Sequence, residues 1–193
     1  MQSEVRSPSR VPAMIAVTAA LLVGSVACGD DPFAFDWSDA PDTVQLYSMA
    51  RPELNLVSAF NFLQNLPIQV ENPASTGTWD VAVDTRGGEI VFLPPGALNV
   101  SGAARIATLE SMSLSDVTEA PSDTLLYVRD QAVPVEMGDV YIVRTNRQIG
   151  SFGRSCVYYA KVEAVSIDPV GGTLTFREVT NPVCNDRDLV PPD

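Results

Sequence analysis

The sequence predicts an all-β protein with a single antiparallel β-sandwich or barrel-like domain. After residue 43, short segments rich in Val, Ile, Tyr, Phe and Thr alternate with clusters of Gly, Pro, Asn and Asp, which is typical of strands joined by turns. No stretch holds a period of 3.6 residues for long enough to predict a substantial helix. These two observations together favour packed antiparallel sheets.

The elements are predicted in chain order from this pattern. The predicted strands are 44–48, 68–71, 78–84, 89–93, 104–109, 124–129, 139–145, 156–167 and 173–180. Short helical turns are predicted at 49–56 and 113–120, where the apolar spacing is briefly helical.

The last two predicted strands form a hairpin whose register follows from side-chain alternation. Pairing Glu163 with Arg177, and Ala164 with Phe176, keeps one apolar face and one polar face, whereas a slip of one residue mixes them. The same register pairs Ser166 with Leu174. The predicted core face carries Tyr158, Ala160, Val162, Ala164, Leu174 and Phe176, and the predicted solvent face carries Lys161, Glu163 and Arg177. Pro182 follows the ladder and favours an edge position for this hairpin.

The first 27 residues have the composition of a signal peptide. A polar segment with Arg6 and Arg10 precedes the uncharged run 11–27. The run ends at Ala27-Cys28 in a pattern that resembles a bacterial lipobox, where cleavage leaves a diacylglyceryl cysteine. This predicts an exported protein anchored to the bacterial cell envelope through Cys28, in the outer or the inner membrane. The alternatives are an uncleaved anchor or an ordinary signal peptide.

Removal of the signal peptide leaves an acidic lipidated tether, 28–43, and one all-β domain, 44–193. Phe33, Phe35 and Trp37 recur at a period of two in the tether, and we expect them to dock on the domain or to lie near lipid headgroups. The C-terminal aspartates, Asp186, Asp188 and Asp193, predict a disordered acidic tail, with calcium binding as the alternative.

The three cysteines divide into one lipidation site and one pair. With Cys28 lipidated, Cys156 and Cys184 remain in a compartment that favours oxidation, so a disulfide is predicted. The hairpin register also places these two cysteines opposite each other. Two cysteines without histidine are too few ligands for a typical zinc site, and no metal is expected.

Composition excludes several classes of function. The chain has 24 acidic and 12 basic residues, a net charge of -12 and no histidine. Histidine-dependent triads and histidine-ligated metals are therefore impossible, and the charge argues against a nucleic-acid partner. Asp80 and Asp84 are the only carboxylate pair with an enzyme-like sequence pattern, but four residues along a strand separate them too far for a glycosidase, and a solvated strand face is expected.

Three segments resemble the HmuY-like family of bacterial lipoproteins. They are 78–82 (TWDVA), 114–121 (LSDVTEAP), and the set 140–145, 159–162 and 172–176. The resemblance implies an all-β, lipid-anchored protein whose better-known relatives capture haem outside the cell. Those relatives use histidine ligands, so here only the thioethers of Met49, Met112 and Met137 remain as haem ligands, and core filling is the other interpretation of these methionines.

The sequence therefore predicts a non-enzymatic, lipid-anchored envelope protein that binds a small ligand or a protein partner and needs no cofactor. A haem-binding lipoprotein with ligands other than histidine is one alternative. A carboxylate-dependent hydrolase is the other.

Overall fold

A computed structural model describes residues 37–192. The predicted all-β class is confirmed: within these residues two large antiparallel sheets pack against each other, without an α-helix and without closing into a barrel. The strands are β1 (Asp42–Tyr47), β2 (Ala59–Asn61), β3 (Leu66–Ile68), β4 (Val81–Arg86), β5 (Glu89–Leu93), β6 (Arg105–Leu109), β7 (Val133–Pro134), β8 (Val140–Arg144), β9 (Gln148–Ile149), β10 (Ser155–Cys156), β11 (Tyr159–Asp168) and β12 (Thr173–Asn181).

The first sheet has the order β1-β12-β11-β8-β6, and the second has the order β3-β2-β4-β5-β7. Strands β9 and β10 form a separate two-stranded ribbon in the connection between β8 and β11. Because every pairing is antiparallel, the start of β1, the end of β12, the start of β11, the end of β8 and the start of β6 all lie at one end of the first sheet.

The core between the sheets is built on alternating apolar residues from both. Phe176 of β12 lies at its centre and makes edge-to-face ring contacts with Phe60 (5.9 Å between centroids) and Phe92 (6.1 Å). Phe92 makes a third such contact with Tyr141, at 5.3 Å. Aromatic pairs in this geometry stabilise a core by about 1 kcal/mol each beyond the burial of their area.

The outer face of the first sheet is buried as well. Residues 140–143 of β8 are all buried, as expected for a strand covered on both faces. The cover consists of the segment 112–120 and the C-terminal segment 183–190, joined by hydrogen bonds from the Leu189 amide to the Thr118 carbonyl (2.7 Å) and from the Ala120 amide to the Arg187 carbonyl (2.8 Å). The disordered tail predicted for the aspartates is therefore wrong for Asp186 and Asp188, because Leu189 is fully buried beside them.

The predicted hairpin register is confirmed from Tyr159 to Ala164, between the start of β11 and a bulge, whereas Cys156 lies outside this ladder and pairs with Gln148 instead of a position opposite Cys184. Glu163 pairs with Arg177 and Ala164 with Phe176, but the register then shifts, so that Ser166 pairs with Thr175 instead of Leu174. The half-exposed Val165 is the extra residue. The edge position predicted from Pro182 is wrong, because β12 lies between β1 and β11, and the proline simply follows the last ladder pair.

Other differences concern short or irregular elements. Strands β2, β7 and β9, of two or three residues each, are absent from the prediction. The predicted strand 156–167 is interrupted, because Cys156 belongs to β10 and β11 begins at Tyr159. The predicted strand at 124–129 is a 3-10 turn, Thr124–Leu126, followed by a single bridge from Val128 to Ile106. Neither predicted helical turn, 49–56 or 113–120, is a helix.

The signal peptide, Cys28, Phe33 and Phe35 lie outside the described residues. Trp37 is partly buried and is not in a strand. It packs on the outer-face cluster, the buried apolar side chains on the outer face of the first sheet, which include Leu114, Ile142 and Leu189. Strand β1 begins at Asp42, so the last two residues of the predicted tether belong to the sheet. In the part of the chain that the structure describes, no helix is long and apolar enough to cross a membrane.

Candidate binding site

A cavity of about 290 Å³ lies on the outer face of the first sheet. Strands β11 and β12 form its floor, and the segments before β1 and around residue 114 form its walls. Its lining comprises Asp39, Pro41, Ser113, Leu114, Ser115, Lys161, Arg177, Val179 and Val190. This volume is close to the lower end of the range for small-molecule sites.

Lys161 is the only lysine of the chain and the most unusual group in the cavity. The side chain is only 3% exposed, and its ammonium donates one hydrogen bond, 2.9 Å long, to the Val117 carbonyl. An ammonium has three N–H donors, and no carboxylate forms an ion pair with Lys161 among the described residues. Burial lowers the pKa of Lys161, and the negative charge of Asp39 partly opposes this effect.

The alternation of polar and apolar residues along β11 predicts that Lys161 faces solvent, and this prediction is wrong because Lys161 is buried. Strand β11 is central and covered on both faces, so its second face is not solvated. The continuous apolar run at 140–143 is the sequence signal for such burial, because β8 is the neighbour of β11. Glu163 and Arg177 form an ion pair with each other at the outer rim, as their facing positions predict.

Two serines add hydroxyl groups to the wall of this cavity. The Ser113 hydroxyl donates to an Asp116 carboxylate oxygen at 2.6 Å and lies 2.9 Å from the Ser115 hydroxyl. These contacts lie within the turn at residues 113–116 and fix its local conformation. The cavity thus combines an apolar lining with a buried cation and a small polar wall.

A second, smaller cavity of about 180 Å³ lies at the same end of the sheet, and Glu178 and Asp42 are among its lining residues. These two carboxylates occupy directly opposite positions on β12 and β1. Glu178 is 3% exposed, and burial, with a smaller effect from Asp42, raises its pKa to about 7. The Thr180 hydroxyl donates to Glu178 at 2.6 Å.

Asp80 is buried, at 1% exposure, and not on a solvated strand face as predicted. Its two carboxylate oxygens accept hydrogen bonds from the backbone amides of Phe62 (3.0 Å) and Asn146 (2.7 Å). Burial raises its pKa to about 6 in spite of these bonds. The half-buried carboxylate of Asp84 accepts a hydrogen bond from the Thr85 amide and forms an ion pair with Arg86. The structure therefore does not bring the two aspartates together in a cleft.

The predicted disulfide joins Cys156 to Cys184, with 5.0 Å between their Cα atoms. It links β10 to the segment after β12. The three candidate haem ligands are not brought together: Met49 packs on the outer face of the second sheet, Met112 on the outer face of the first, and Met137 is exposed at a turn. Within residues 37–192 no group of three His, Cys, Asp or Glu side chains is placed to hold a metal ion.

No family model, curated protein or solved structure matches this chain. The case for a site therefore depends on the chemistry of its own residues. Among the described cavities, the one that contains Lys161 combines an apolar lining with a buried charge, which is the arrangement typical of small-ligand sites.

Proposed function

We propose that the protein is an exported, lipid-anchored, non-enzymatic binding protein of the bacterial envelope, and that it takes a small amphipathic anion into the Lys161 cavity. The observation that carries the proposal is the buried ammonium of Lys161, which has a single hydrogen bond within residues 37–192 and lines a cavity of about 290 Å³. The lipobox at Cys28 supports the location.

The chemistry of the cavity supports an anionic ligand. A buried charge is stable only when it is paired or fully hydrogen-bonded, and among the described residues Lys161 has one acceptor, the Val117 carbonyl, for three donors. A carboxylate or sulfonate supplies both the opposite charge and further acceptors. The apolar lining, which includes Leu114, Val179 and Val190, suits a hydrocarbon portion on the same ligand.

Hexanoate and 1-hexanol are suitable probes because they share a chain and differ in charge. We expect hexanoate to shift backbone amide resonances at Leu114, Lys161 and Val179. Lys161→Met keeps the apolar stem and removes the charge, and it should weaken hexanoate binding about tenfold or more, since a hydrogen bond to a charged group contributes about 1.5–3 kcal/mol. Hexanol binding should stay unchanged.

Arg86→Met is the matched control, because it removes an exposed cation that pairs with Asp84. Equal hexanoate binding by the wild type and Lys161→Met, with thermal unfolding showing both to be folded, would refute the ligand site. The anchor is tested separately. Labelled palmitate should enter the full chain and should be absent from Cys28→Ala, and failure of labelling would refute the lipid anchor alone.

A further inference from the structure

The ribbon of β9 and β10 carries an unusual exposed tip. Ile149 is 86% exposed and Phe152 is fully exposed, and both lie in the hairpin between β8 and β11. Phe152 has a φ of 60°, a left-handed conformation that bulky residues rarely adopt, and Gly153 follows with a φ of 72°. The fold therefore presents this aromatic ring to the outside on a sharp turn.

The hairpin is held firmly to the domain. The Gly150 amide donates to the Arg154 carbonyl at 2.9 Å, and Cys156 pairs with Gln148 across the ribbon. The disulfide from Cys156 to Cys184 then ties the ribbon to the segment after β12. Its exposed apolar side chains thus project from a supported structure.

The same region is basic in an acidic protein. Residues 144–156 contain three arginines and no acidic residue, although the chain has a net charge of -12. Arg144 lies directly opposite Arg105 on β6, and the Arg105 Nε is buried without a hydrogen-bond partner. Among the described residues, the arginines that form ion pairs lie elsewhere. Four arginines of this region have no carboxylate partner there: Arg105, Arg144, Arg147 and Arg154.

The chain enters the domain at the same end of the sheet. Asp42, the first residue of β1, pairs with Glu178 near the end of β12, and the ribbon follows the end of β8 at that same end. Trp37 packs on the outer-face cluster next to this entry. Eight residues lie between Cys28 and Trp37, so an extended chain places their Cα atoms about 30 Å apart at most.

We propose that the hairpin 147–156 rests on the membrane to which Cys28 is attached, with Ile149 and Phe152 entering the interface and the exposed Arg147 and Arg154 contacting anionic lipid headgroups. The proposal rests on the lipid anchor proposed above. Apolar and aromatic side chains flanked by arginine favour the lipid–water interface, where the ring enters the acyl boundary and the guanidinium groups stay near phosphate.

The interaction is testable without the lipid anchor. The described residues contain both sheets, the core and the disulfide, so residues 29–193 are expected to fold without the signal peptide. This protein should co-sediment with vesicles of phosphatidylglycerol and phosphatidylcholine, more weakly as salt rises, and much less with phosphatidylcholine alone. Ile149→Ser with Phe152→Ser, and separately Arg147→Gln with Arg154→Gln, should each weaken binding about tenfold.

Val170 is the matched control, since it is fully exposed in the β11–β12 turn at the opposite end of the sheet. Val170→Ser should bind as the wild type does. As a direct report of insertion, the fluorescence of Phe152→Trp should shift to the blue on adding anionic vesicles, whereas that of Val170→Trp should not.

Three results would overturn the membrane contact: no binding of residues 29–193 to anionic vesicles, full binding by the Ile149/Phe152 double variant, or equal loss in Val170→Ser. Circular dichroism establishes that each variant is folded. Because palmitate labelling reports on Cys28 alone, failure of the anchor and failure of the hairpin contact remain distinguishable.

Discussion

Asp80 and Asn146 form a junction that joins the two sheets. The Asn146 backbone N–H donates to the Asp80 carboxylate at 2.7 Å, and the Asn146 side-chain NH₂ group donates to the Trp79 carbonyl at 2.6 Å. Asn146 also accepts bonds from the amides of Ala103 (2.7 Å) and Ala104 (3.0 Å), just before β6. One carboxylate and one side-chain amide therefore join the segment before β4 of the second sheet to the segments that flank β6 and β8 of the first.

Asp80→Asn should destabilise the protein by about 1–2 kcal/mol, because a side-chain amide replaces one of two buried acceptors with a donor that faces a backbone N–H. Burial of the charge raises the pKa of Asp80 to about 6, so loss of that charge offsets part of a larger cost. Urea unfolding of residues 29–193 at neutral pH measures the loss. Asp84→Asn is the control: its ion pair with Arg86 is partly exposed, so its loss should stay below about 1 kcal/mol. Equal effects of the two substitutions would contradict a special role for the junction.

Glu178 gives stability a dependence on pH. Its pKa rises from 4.5 to about 7 on folding, chiefly through burial, so its proton is bound more tightly in the folded state. The resulting stabilisation is fully present below pH 4.5 and is lost as pH rises through about 7. Asp80, whose pKa rises from 3.8 to about 6, acts in the same direction at lower pH.

At pH 8 the free energy of unfolding of Glu178→Gln should therefore exceed that of the wild type by up to about 3 kcal/mol, so the variant unfolds at a higher urea concentration. This difference should shrink toward pH 5. Unfolding curves across this range measure it. Asp42→Asn serves as a comparison, because it removes the smaller charge effect and leaves Glu178 buried. A wild-type stability that rises between pH 5 and 8 relative to Glu178→Gln would contradict this account.

Most of the first sheet is predictable from sequence because its hairpin has two faces of different polarity and a glycine-rich turn. The register at Glu163 and Arg177 follows from that alternation alone. Alternation does not reveal what covers the second face, and the cover of Lys161 comes from two distant segments, 112–120 and 183–190. The cavity therefore depends on tertiary packing that no local pattern encodes.

Asp80 illustrates the same limit on sequence interpretation in another way. Its position on a strand of alternating residues predicts exposure, yet backbone amides at Phe62 and Asn146 surround it in the fold. These donors lie 18 and 66 residues away in the chain. The pairing of Cys156 with Cys184, by contrast, follows from counting cysteines once the lipobox pattern assigns Cys28 to lipidation, because two cysteines then remain.

Loss of the disulfide should destabilise the protein substantially. The bridge closes a loop between residues 28 apart, for which chain entropy gives about 3–4 kcal/mol. Cys156→Ala with Cys184→Ala should lower the free energy of unfolding by about this amount in an oxidising buffer. Under reducing conditions the wild type should approach the stability of the double variant, and a persistent gap would contradict the bridge as its cause.

Gly150 is required by the disulfide that it faces. A Cβ atom at this position would lie closer to the Cys156 sulfur than real Cβ atoms approach. Gly150→Ala should therefore displace the ribbon and cost about 1–3 kcal/mol, as overpacking does.

The same substitution in the Cys156→Ala, Cys184→Ala background provides the control, because the sulfur is gone and the Cys156 Cβ position lies at an ordinary 3.5 Å. There Gly150→Ala should be neutral or slightly stabilising, since alanine restricts the unfolded chain. Urea unfolding of the four proteins gives the coupling between Gly150 and the bridge. Equal costs in both backgrounds would show that backbone conformation, and not the sulfur, requires glycine here.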